Sequence, residues 1–293
     1  MPYATERART TRIVQSRHNP RVKELRAALE RPGKLASGLI AIEGERMLAE
    51  ALRSGLMPQV IFIETGRVAL LDRLGQSRDE RARLDSAEIL ELPAEILRPA
   101  LATESPQGIA ALLLPPQFTA ADLFPSDRPA LVLVAAALQD PGNLGTLIRS
   151  AEAFGATGLL LLSGSVYPWN PKVVRSSAGS VFRLPVMAAS IEQGLGWLRE
   201  HCVRLYATAA EGDLPSTEAA LAGPCAIAIG NEGAGLAPEL LAAADARLSI
   251  PCPGPVESLN AAVAGSILLY EAAKQRAAAA SSQPSAVAAG RAR

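Results

Sequence analysis

Three segments in the second half of the chain limit its possible folds most, because each is built like a loop that opens a helix. In order they read QDPGNLGTLIR at 139–149, GNEGAGL at 230–236 and IPCPGPVESLN at 250–260. Each follows an apolar run of strand character, at 131–138, 226–229 and 247–250. Strands in one doubly wound parallel sheet would bring all three loops to its carboxyl edge, where such folds bind ligands. The pattern therefore predicts one site built from three loops.

The pattern of apolar residues divides the rest of the chain into regions. The 293 residues, 49% of them hydrophobic, suffice for two medium domains. The second region adds strands at 158–162 and 204–208, and such continuous apolar runs are typical of a parallel sheet covered on both faces. The first region alternates short strands with helices, and a proline-rich stretch separates the two. We predict a small α/β domain with a basic arm at 1–114, a linker at 115–129, a parallel-sheet α/β domain at 130–279 and a disordered tail at 280–293.

Predicted elements of the first region are the strands 39–43, 60–64, 88–92 and 109–114 and the helices 46–54 and 68–74. The last helix of the chain should begin near Ser258 and run to about Ala279, with Leu268, Leu269 and Ala272 on its buried side.

Charge is distributed unevenly, although the formal net charge is zero. Residues 1–34 contain nine basic and three acidic side chains, so this segment carries +6 and the remainder −6. A local excess of positive charge can neutralise phosphates whatever the total charge, although a solvated arginine-rich face is an alternative. No apolar run reaches the roughly 18 residues that span a bilayer, and the N-terminus lacks a secretory signal, so we expect a cytoplasmic protein. The three cysteines and two histidines have no metal-ligand spacing, and we predict no metal.

The first loop suits an anionic ligand, whereas the second is only a turn compatible with a ligand. In the first loop Asn143 can cap a helix beginning at Leu144, and Arg149 can grip a phosphate or carboxylate, although an ordinary surface arginine is the alternative. The second loop has glycines at 230, 233 and 235 and a carboxylate at Glu232, but its spacing matches neither the dinucleotide fingerprint nor the phosphate loop.

In the third loop Ser258 is a candidate helix cap. A serine nucleophile is disfavoured because neither histidine lies near any of the loops.

Taken in this order and with this separation, the three segments resemble the signature motifs of the SpoU-type, TrmH-like RNA 2′-O-ribose methyltransferases of the SPOUT superfamily. The match covers nearly the whole second region. Upstream, SRHNPRVK at 16–23, IEGER at 42–46 and SPQG at 105–108 resemble the small RNA-binding domain of ribosomal RNA members.

This resemblance implies a catalytic domain whose C-terminal segment is threaded into a trefoil knot. It implies S-adenosyl-L-methionine as methyl donor, and a homodimer in which each active site is completed by the neighbouring subunit. Carried over by motif, the catalytic residues are Asn143, Arg149, Glu232, Ser258 and Asn260. The residues that hold the cofactor are Thr208, Gly230, Ile250 and Leu259. The residues expected to contact RNA are Arg17, Arg21, Lys23, Arg46 and Arg175, the last in a segment at 167–179 that resembles the family's approach to substrate.

The implied reaction is in-line attack of a ribose 2′-hydroxyl on the sulfonium methyl group. Arg149 is often cast as the base in this family, but a guanidinium with a pKa above about 12 is a poor proton acceptor at neutral pH. We expect Arg149 to grip an RNA phosphate and to ease ionisation of the hydroxyl.

A separate RNA-binding domain favours ribosomal RNA, in particular that of the large subunit, over transfer RNA. A transfer RNA methyltransferase and a catalytically silent RNA-binding or ribosome-assembly protein stay open as alternatives. A nucleotide-binding oxidoreductase is disfavoured because the glycine fingerprint is missing.

Overall fold

A computed structural model describes residues 11–209, 211–256 and 258–282. The chain forms two compact units. The N-terminal unit contains the chain up to Gln117 together with the inserted segment Tyr167–Arg183. The C-terminal unit contains Phe118–Val166 and the chain from Leu184 onward.

The strands in chain order are β1 Thr11–Ile13, β2 Ile40–Glu43, β3 Pro58–Glu64, β4 Glu88–Leu92, β5 Ile109–Leu113, β6 Leu131–Ala135, β7 Gly158–Leu162, β8 Val186–Ala189, β9 Arg204–Thr208, β10 Leu214–Pro215, β11 Cys225–Ile229 and β12 Ala246–Ser249. The α-helices are α1 Pro20–Glu30, α2 Glu45–Arg53, α3 Leu71–Leu74, α4 Arg78–Asp85, α5 Ala94–Leu97, α6 Pro141–Ala153, α7 Pro171–Ser176, α8 Ile191–Glu200, α9 Pro238–Ala243 and α10 Ala261–Ser281. Short 3₁₀ helices cover Val68–Leu70, Arg98–Ala100, Ala120–Leu123 and Ser180–Phe182.

The N-terminal unit is built on a mixed sheet of order β1-β4-β3-β5-β2. β1, β4 and β3 are parallel, whereas β5 is antiparallel to both β3 and β2. Within the basic segment 1–34, residues 20–30 form α1. That helix buries Val22, Leu25, Ala28 and Leu29, since these apolar residues recur at helical spacing between the basic ones. The arm's first ten residues lie outside the described part of the chain.

The C-terminal unit is built on a parallel sheet of seven strands, in the order β10-β12-β9-β11-β6-β7-β8. All five residues of β6 and all five of β11 are buried, as expected for central strands covered on both faces. The fold class expected for this region is therefore confirmed. β6 ends three residues earlier than the sequence suggested, because Ala137 adopts a left-handed φ of 55° that turns the chain out of the sheet.

Two further boundaries differ from the expected organisation. Within the expected linker, Ala120–Leu123 forms a 3₁₀ helix, and Leu123 is buried in the core of the C-terminal unit. The inserted segment groups with the N-terminal unit although it lies between strands of the other sheet. At the C-terminus, α10 includes Ala280 and Ser281, which we expected in the tail, while residues 283–293 lie outside the described part.

α10 lies against α6 and β11, and its N-terminus is at the carboxyl edge of the sheet. The approach is close because Gly265 has no side chain, and a Cβ there would lie 2.3 Å from Cδ2 of Leu147 and 3.3 Å from Cγ1 of Ile229. The hydroxyls of Ser150 and Ser266 are hydrogen-bonded at 2.7 Å across the two helices. Leu268, Leu269 and Ala272 are fully buried, which confirms the expected inner face of α10.

Candidate active site

The first and second loops come together because they follow β6 and β11, which are neighbours in the sheet, and the third loop follows β12, which only β9 separates from β11. The last residue of β11, Ile229, is paired with Ala135 of β6, and Ala228 is paired with Ala207 of β9. In a parallel sheet such pairing puts the carboxyl ends of all three strands at one edge. The loop that precedes α6 and the loop that follows β11 therefore start next to each other.

The first loop opens α6 in a way that frees the side chain of Asn143. We expected Asn143 to cap a helix beginning at Leu144, but the helix begins three residues earlier, at Pro141, with Asp140 as its cap. The Asp140 carboxylate accepts the backbone N–H of Asn143 at 2.8 Å, and proline is well suited to the first helical position. Asn143 is thus a residue of the first turn, and its amide is available for other contacts.

In the third loop the cap is also displaced from the expected residue, but toward the C-terminus. Ser258 does not cap α10, because the helix begins at Ala261 and Asn260 caps it. Oδ1 of Asn260 accepts the backbone N–H groups of Ala262 at 2.9 Å and Val263 at 3.2 Å. Two unpaired helix donors need an acceptor, so the oxygen of the amide must face the helix and its NH₂ group must face away.

A chain of hydrogen bonds then joins all three loops. Nδ2 of Asn260 donates to Oδ1 of Asn143 at 3.0 Å, and Nδ2 of Asn143 donates to a carboxylate oxygen of Glu232. Asn260 fixes which group donates at each step of these hydrogen bonds. Because its oxygen accepts from the helix, its NH₂ group is left to donate to Asn143. The carboxylate at the other end needs no proton to act as the final acceptor.

Two of the five predicted catalytic residues lie outside this chain. Arg149 stands on the exposed side of α6, and within the described residues its guanidinium has no hydrogen bond or ion pair. Ser258 is also exposed, and the described residues offer its hydroxyl no hydrogen bond. Both side chains are therefore available to a ligand or to another chain.

The predicted cofactor residues lie around the same edge of the sheet. Gly230 follows β11 directly, and a Cβ there would lie 2.4 Å from the carbonyl carbon and oxygen of Gly235, so this glycine is required by its own loop. Thr208 ends β9, and its hydroxyl donates to the carbonyl of Ala228 at 2.8 Å.

Backbone rather than side chains can hold a ligand at this edge. Gly230, Ile250 and Leu259 are half-buried, and in the described part of the chain their N–H groups donate no backbone hydrogen bond. Half-buried unpaired backbone donors fit a polar ligand such as the adenine and amino-acid ends of S-adenosylmethionine.

All five predicted RNA contacts belong to the N-terminal unit, including Arg175 in the last turn of α7. Arg21 is half-buried and already occupied, since it pairs with Glu24 at 2.9 Å and with Glu88 at 3.1 Å. Its hydrogen bond with Glu24 is the main cause that raises the pKa of this guanidinium.

The other four predicted contacts, Arg17, Lys23, Arg46 and Arg175, are exposed. Among the described residues, none of their side chains takes part in an ion pair or hydrogen bond.

Sequence reasoning missed two residues that organise the site, Asp140 and Asn231. An aspartate directly before a proline is a recognisable helix start, so the cap at Asp140 could have been found. Asn231 gave a weaker signal, because its side-chain contacts cross to another loop. Over the part of the chain that is described, no group of three or more His, Cys, Asp or Glu residues could hold a metal ion, and no helix there is long and apolar enough to cross a membrane.

Comparison with known proteins agrees with this geometry. Residues 130–270 match the model of the SpoU rRNA Methylase family, and residues 19–111 match the MRM3-like substrate binding domain. The chain is 32% identical to the 23S rRNA (guanosine(2553)-2′-O)-methyltransferase RlmP of Bacillus subtilis, over 88% of this chain and 97% of that protein.

Two solved structures are similar over most of their length. A crystal structure of an RNA 2′-O ribose methyltransferase is 36% identical, with a TM-score of 0.74 over 91% of this chain and all of that one. The AdoMet-bound rRNA methyltransferase from Sinorhizobium meliloti is 28% identical, with a TM-score of 0.78 over 90% of this chain and 98% of that one. The chain is therefore a member of the SpoU family, an RNA 2′-O-ribose methyltransferase that uses S-adenosylmethionine.

Proposed function

We propose that this enzyme methylates a ribose 2′-hydroxyl of large-subunit ribosomal RNA in the cytoplasm. The observation that carries the proposal is the hydrogen-bonded chain Asn260–Asn143–Glu232, which links the three loops into one site. Support for the ribosomal substrate comes from the Bacillus relative, which is named as a 23S rRNA methyltransferase and is aligned over nearly its whole length. The match of residues 19–111 to a substrate-binding domain supports a separate region for contact with the RNA.

The protein's part in the reaction is to position the reactants. S-adenosylmethionine supplies a methyl group that its positive sulfur already activates, so neither a nucleophilic side chain nor a metal ion is needed in this scheme. The backbone of Gly230, Ile250, Leu259 and Thr208 holds the cofactor. The linked amides of Asn143 and Asn260 fix the loops that carry these backbone groups.

Arg149 and Ser258 supply the free polar groups of the proposed site. Arg149 grips a phosphate of the RNA and, through its charge, eases ionisation of the neighbouring 2′-hydroxyl. Ser258 donates a hydrogen bond to the substrate. Glu232 ends the hydrogen-bonded chain as an exposed carboxylate. The exposed cations Arg17, Lys23, Arg46 and Arg175 contact the RNA backbone from the N-terminal unit, whereas Arg21 serves mainly to anchor α1 to β4.

The test is methyl transfer from labelled S-adenosylmethionine to total transfer RNA, naked ribosomal RNA and assembled ribosomal subunits. Label in ribosomal RNA that survives alkali as a methylated dinucleotide, and that is lost in Arg149→Ala, is the expected result. Label in transfer RNA alone would refute the ribosomal substrate. A folded protein that binds the cofactor and methylates none of these RNAs would support the silent RNA-binding alternative.

We infer further that the enzyme is a homodimer with a knotted catalytic domain. Support for the knot is the course of the chain after β12, which leaves the sheet two strands from β11 and returns to the side of α6 and β11. Support for the dimer is an apolar stripe on α10 formed by Val263, Ile267 and Tyr270, which are 48%, 38% and 56% exposed.

Light scattering of Ile267→Glu tests the dimer. A monomer is expected, because the substitution puts a charge in the centre of the stripe. The control is Ile13→Glu on β1, since Ile13 is 66% exposed but lies in the other unit. An Ile267→Glu protein that remains dimeric would contradict this choice of interface.

A further inference from the structure

Asn231 uses every polar group of its side chain to hold the loop after β11. Its Oδ1 accepts the backbone N–H groups of Gly233 at 2.9 Å and Ala234 at 3.0 Å. Its Nδ2 donates to the carbonyl of Ala137 at 3.0 Å. The backbone of Asn231 also exchanges two hydrogen bonds of 3.0 Å with Gly235, which closes the loop into a tight turn.

The bond to Ala137 connects two loops that the backbone ladder no longer joins. β6 and β11 are paired as far as Ala135 and Ile229, and the last backbone hydrogen bond between the two segments is donated by the N–H of Ala136 to the carbonyl of Ile229. Beyond it, Ala137 adopts a left-handed φ of 55°, which an alanine rarely does. The amide of Asn231 meets the carbonyl of this turned residue. One side chain thus continues the connection past the end of the sheet.

The two loops that Asn231 connects carry the ends of the hydrogen bond between Glu232 and Asn143. Glu232 is the next residue after Asn231, and Asn143 lies on the helix that follows Ala137. The Glu232 side chain is exposed, so packing does little to fix its place. Its reach to Asn143 depends on how firmly its own loop is held.

We propose that Asn231 is a positioning residue for methyl transfer, which acts by holding the Glu232 loop against the loop that leads into α6. This inference rests on the proposed function, because it assigns Asn231 a part in the same site. The donor and the acceptor of the amide have separate tasks. The acceptor folds the turn, and the donor ties the turn to its neighbour.

Aspartate separates these two tasks. Asn231→Asp keeps an oxygen for the N–H groups of Gly233 and Ala234, but it replaces the donor with an oxygen that repels the carbonyl of Ala137. Asn231→Ala removes both the acceptor that folds the turn and the donor to Ala137. Ser190→Ala is the matched control, because Ser190 caps α8 in the same unit and, among the described residues, has no hydrogen bond with the three loops.

Three measurements test the proposal. Turnover of Asn231→Asp should fall about tenfold or more, as expected for one lost hydrogen bond plus repulsion, while the Kd for S-adenosylmethionine changes less than threefold. Glu232→Gln and Asn231→Asp should be non-additive in a double-mutant cycle of turnover, because one acts through the other. Hydrogen exchange of segments 136–140 and 231–236 should be faster in Asn231→Asp than in the wild type and in Ser190→Ala.

Other outcomes would overturn the inference. Normal turnover of Asn231→Asp would show that the tether is dispensable, and additive effects would show that Asn231 does not act through Glu232. A Kd that rises as much as turnover falls would make Asn231 a cofactor-binding residue instead. If the wild type transfers no methyl group, the proposed function fails, but unchanged hydrogen exchange would still refute the tether by itself.

Discussion

Replacing Asn143 with aspartate should break the hydrogen-bonded chain at its centre. The substitution is nearly isosteric, and the new carboxylate can still accept the amide of Asn260. On the other side it faces the carboxylate of Glu232 where the wild-type NH₂ group donates. Asn143→Asp therefore changes one donor into a like charge and leaves the shape of the site intact.

The expected loss follows from two contributions. A hydrogen bond to a charged acceptor is worth about 1.5 to 3 kcal/mol, and we take the low end because Glu232 is exposed. Two carboxylates about 3 Å apart in water add roughly 1 kcal/mol of repulsion. A total of about 2.5 kcal/mol corresponds to roughly seventyfold in turnover if the transition state feels all of it.

The assay is single-turnover methyl transfer, and the decisive sample is the double variant Asn143→Asp with Glu232→Gln. The glutamine amide can donate to the new carboxylate, so the chain of hydrogen bonds is restored with its charge moved by one residue. We expect the double variant to be faster than Asn143→Asp alone by about tenfold or more, because the repulsion is removed and the hydrogen bond between positions 143 and 232 is restored. A double variant no faster than the slower single variant would refute the idea that the chain acts as a unit.

Three other predictions follow from single contacts. Gly230→Ala should lower the free energy of unfolding by about 2 kcal/mol or more and abolish cofactor binding, because its new Cβ would overlap the backbone of Gly235. Gly233→Ala is the control and should be nearly neutral, because the nearest atom to its Cβ would be a side-chain oxygen 3.6 Å away. Thermal unfolding and titration calorimetry measure the two effects. Arg276→Met should cost about 3 kcal/mol in urea unfolding, because its guanidinium donates to four backbone carbonyls, while the exposed Lys274→Met should change little, and equal midpoints would disprove this role. Arg149→Lys should lose most of the activity of the enzyme if a bidentate phosphate contact is needed, and a near-normal rate would exclude that need.

The strands of the catalytic sheet could be predicted from the sequence because a central parallel strand reads as an unbroken apolar run. Gly158–Leu162 and Arg204–Thr208 were predicted to the residue. The edge strands β8 and β10 were missed, since β8 has one buried residue in four and β10 is two residues long. The hydrophobic pattern therefore predicted the central strands, in which most residues are buried, and was less informative toward the edges of the sheet.

The helix starts at the site were predicted two to three residues away from their true positions for a related reason. Asp140 and Asn143, and likewise Ser258 and Asn260, are pairs of good capping residues a few positions apart. Propensity does not choose within such a pair. The choice is made by contacts between loops, which bring Asn143 to Asn260 and Glu232 across more than eighty residues of sequence. For the same reason the grouping of Tyr167–Arg183 with the N-terminal unit could not be foreseen from chain order.

The placement of the caps explains why the site needs asparagine twice. Asn260 must accept from the helix and donate to its neighbour, and neither aspartate nor serine offers an oxygen and an NH₂ group on one rigid plane. Asn143 must accept from Asn260 and donate to a carboxylate, so it needs the same pair of groups. Asp140 caps α6 by accepting an N–H group and is not a member of the hydrogen-bonded chain Asn260–Asn143–Glu232, so a carboxylate suffices there. If capping of α6 passed from Asp140 to Asn143, Glu232 would lose its donor, and the loop after β11 would keep only the tie through Asn231. The choice of cap is thus coupled to the assembly of the active site.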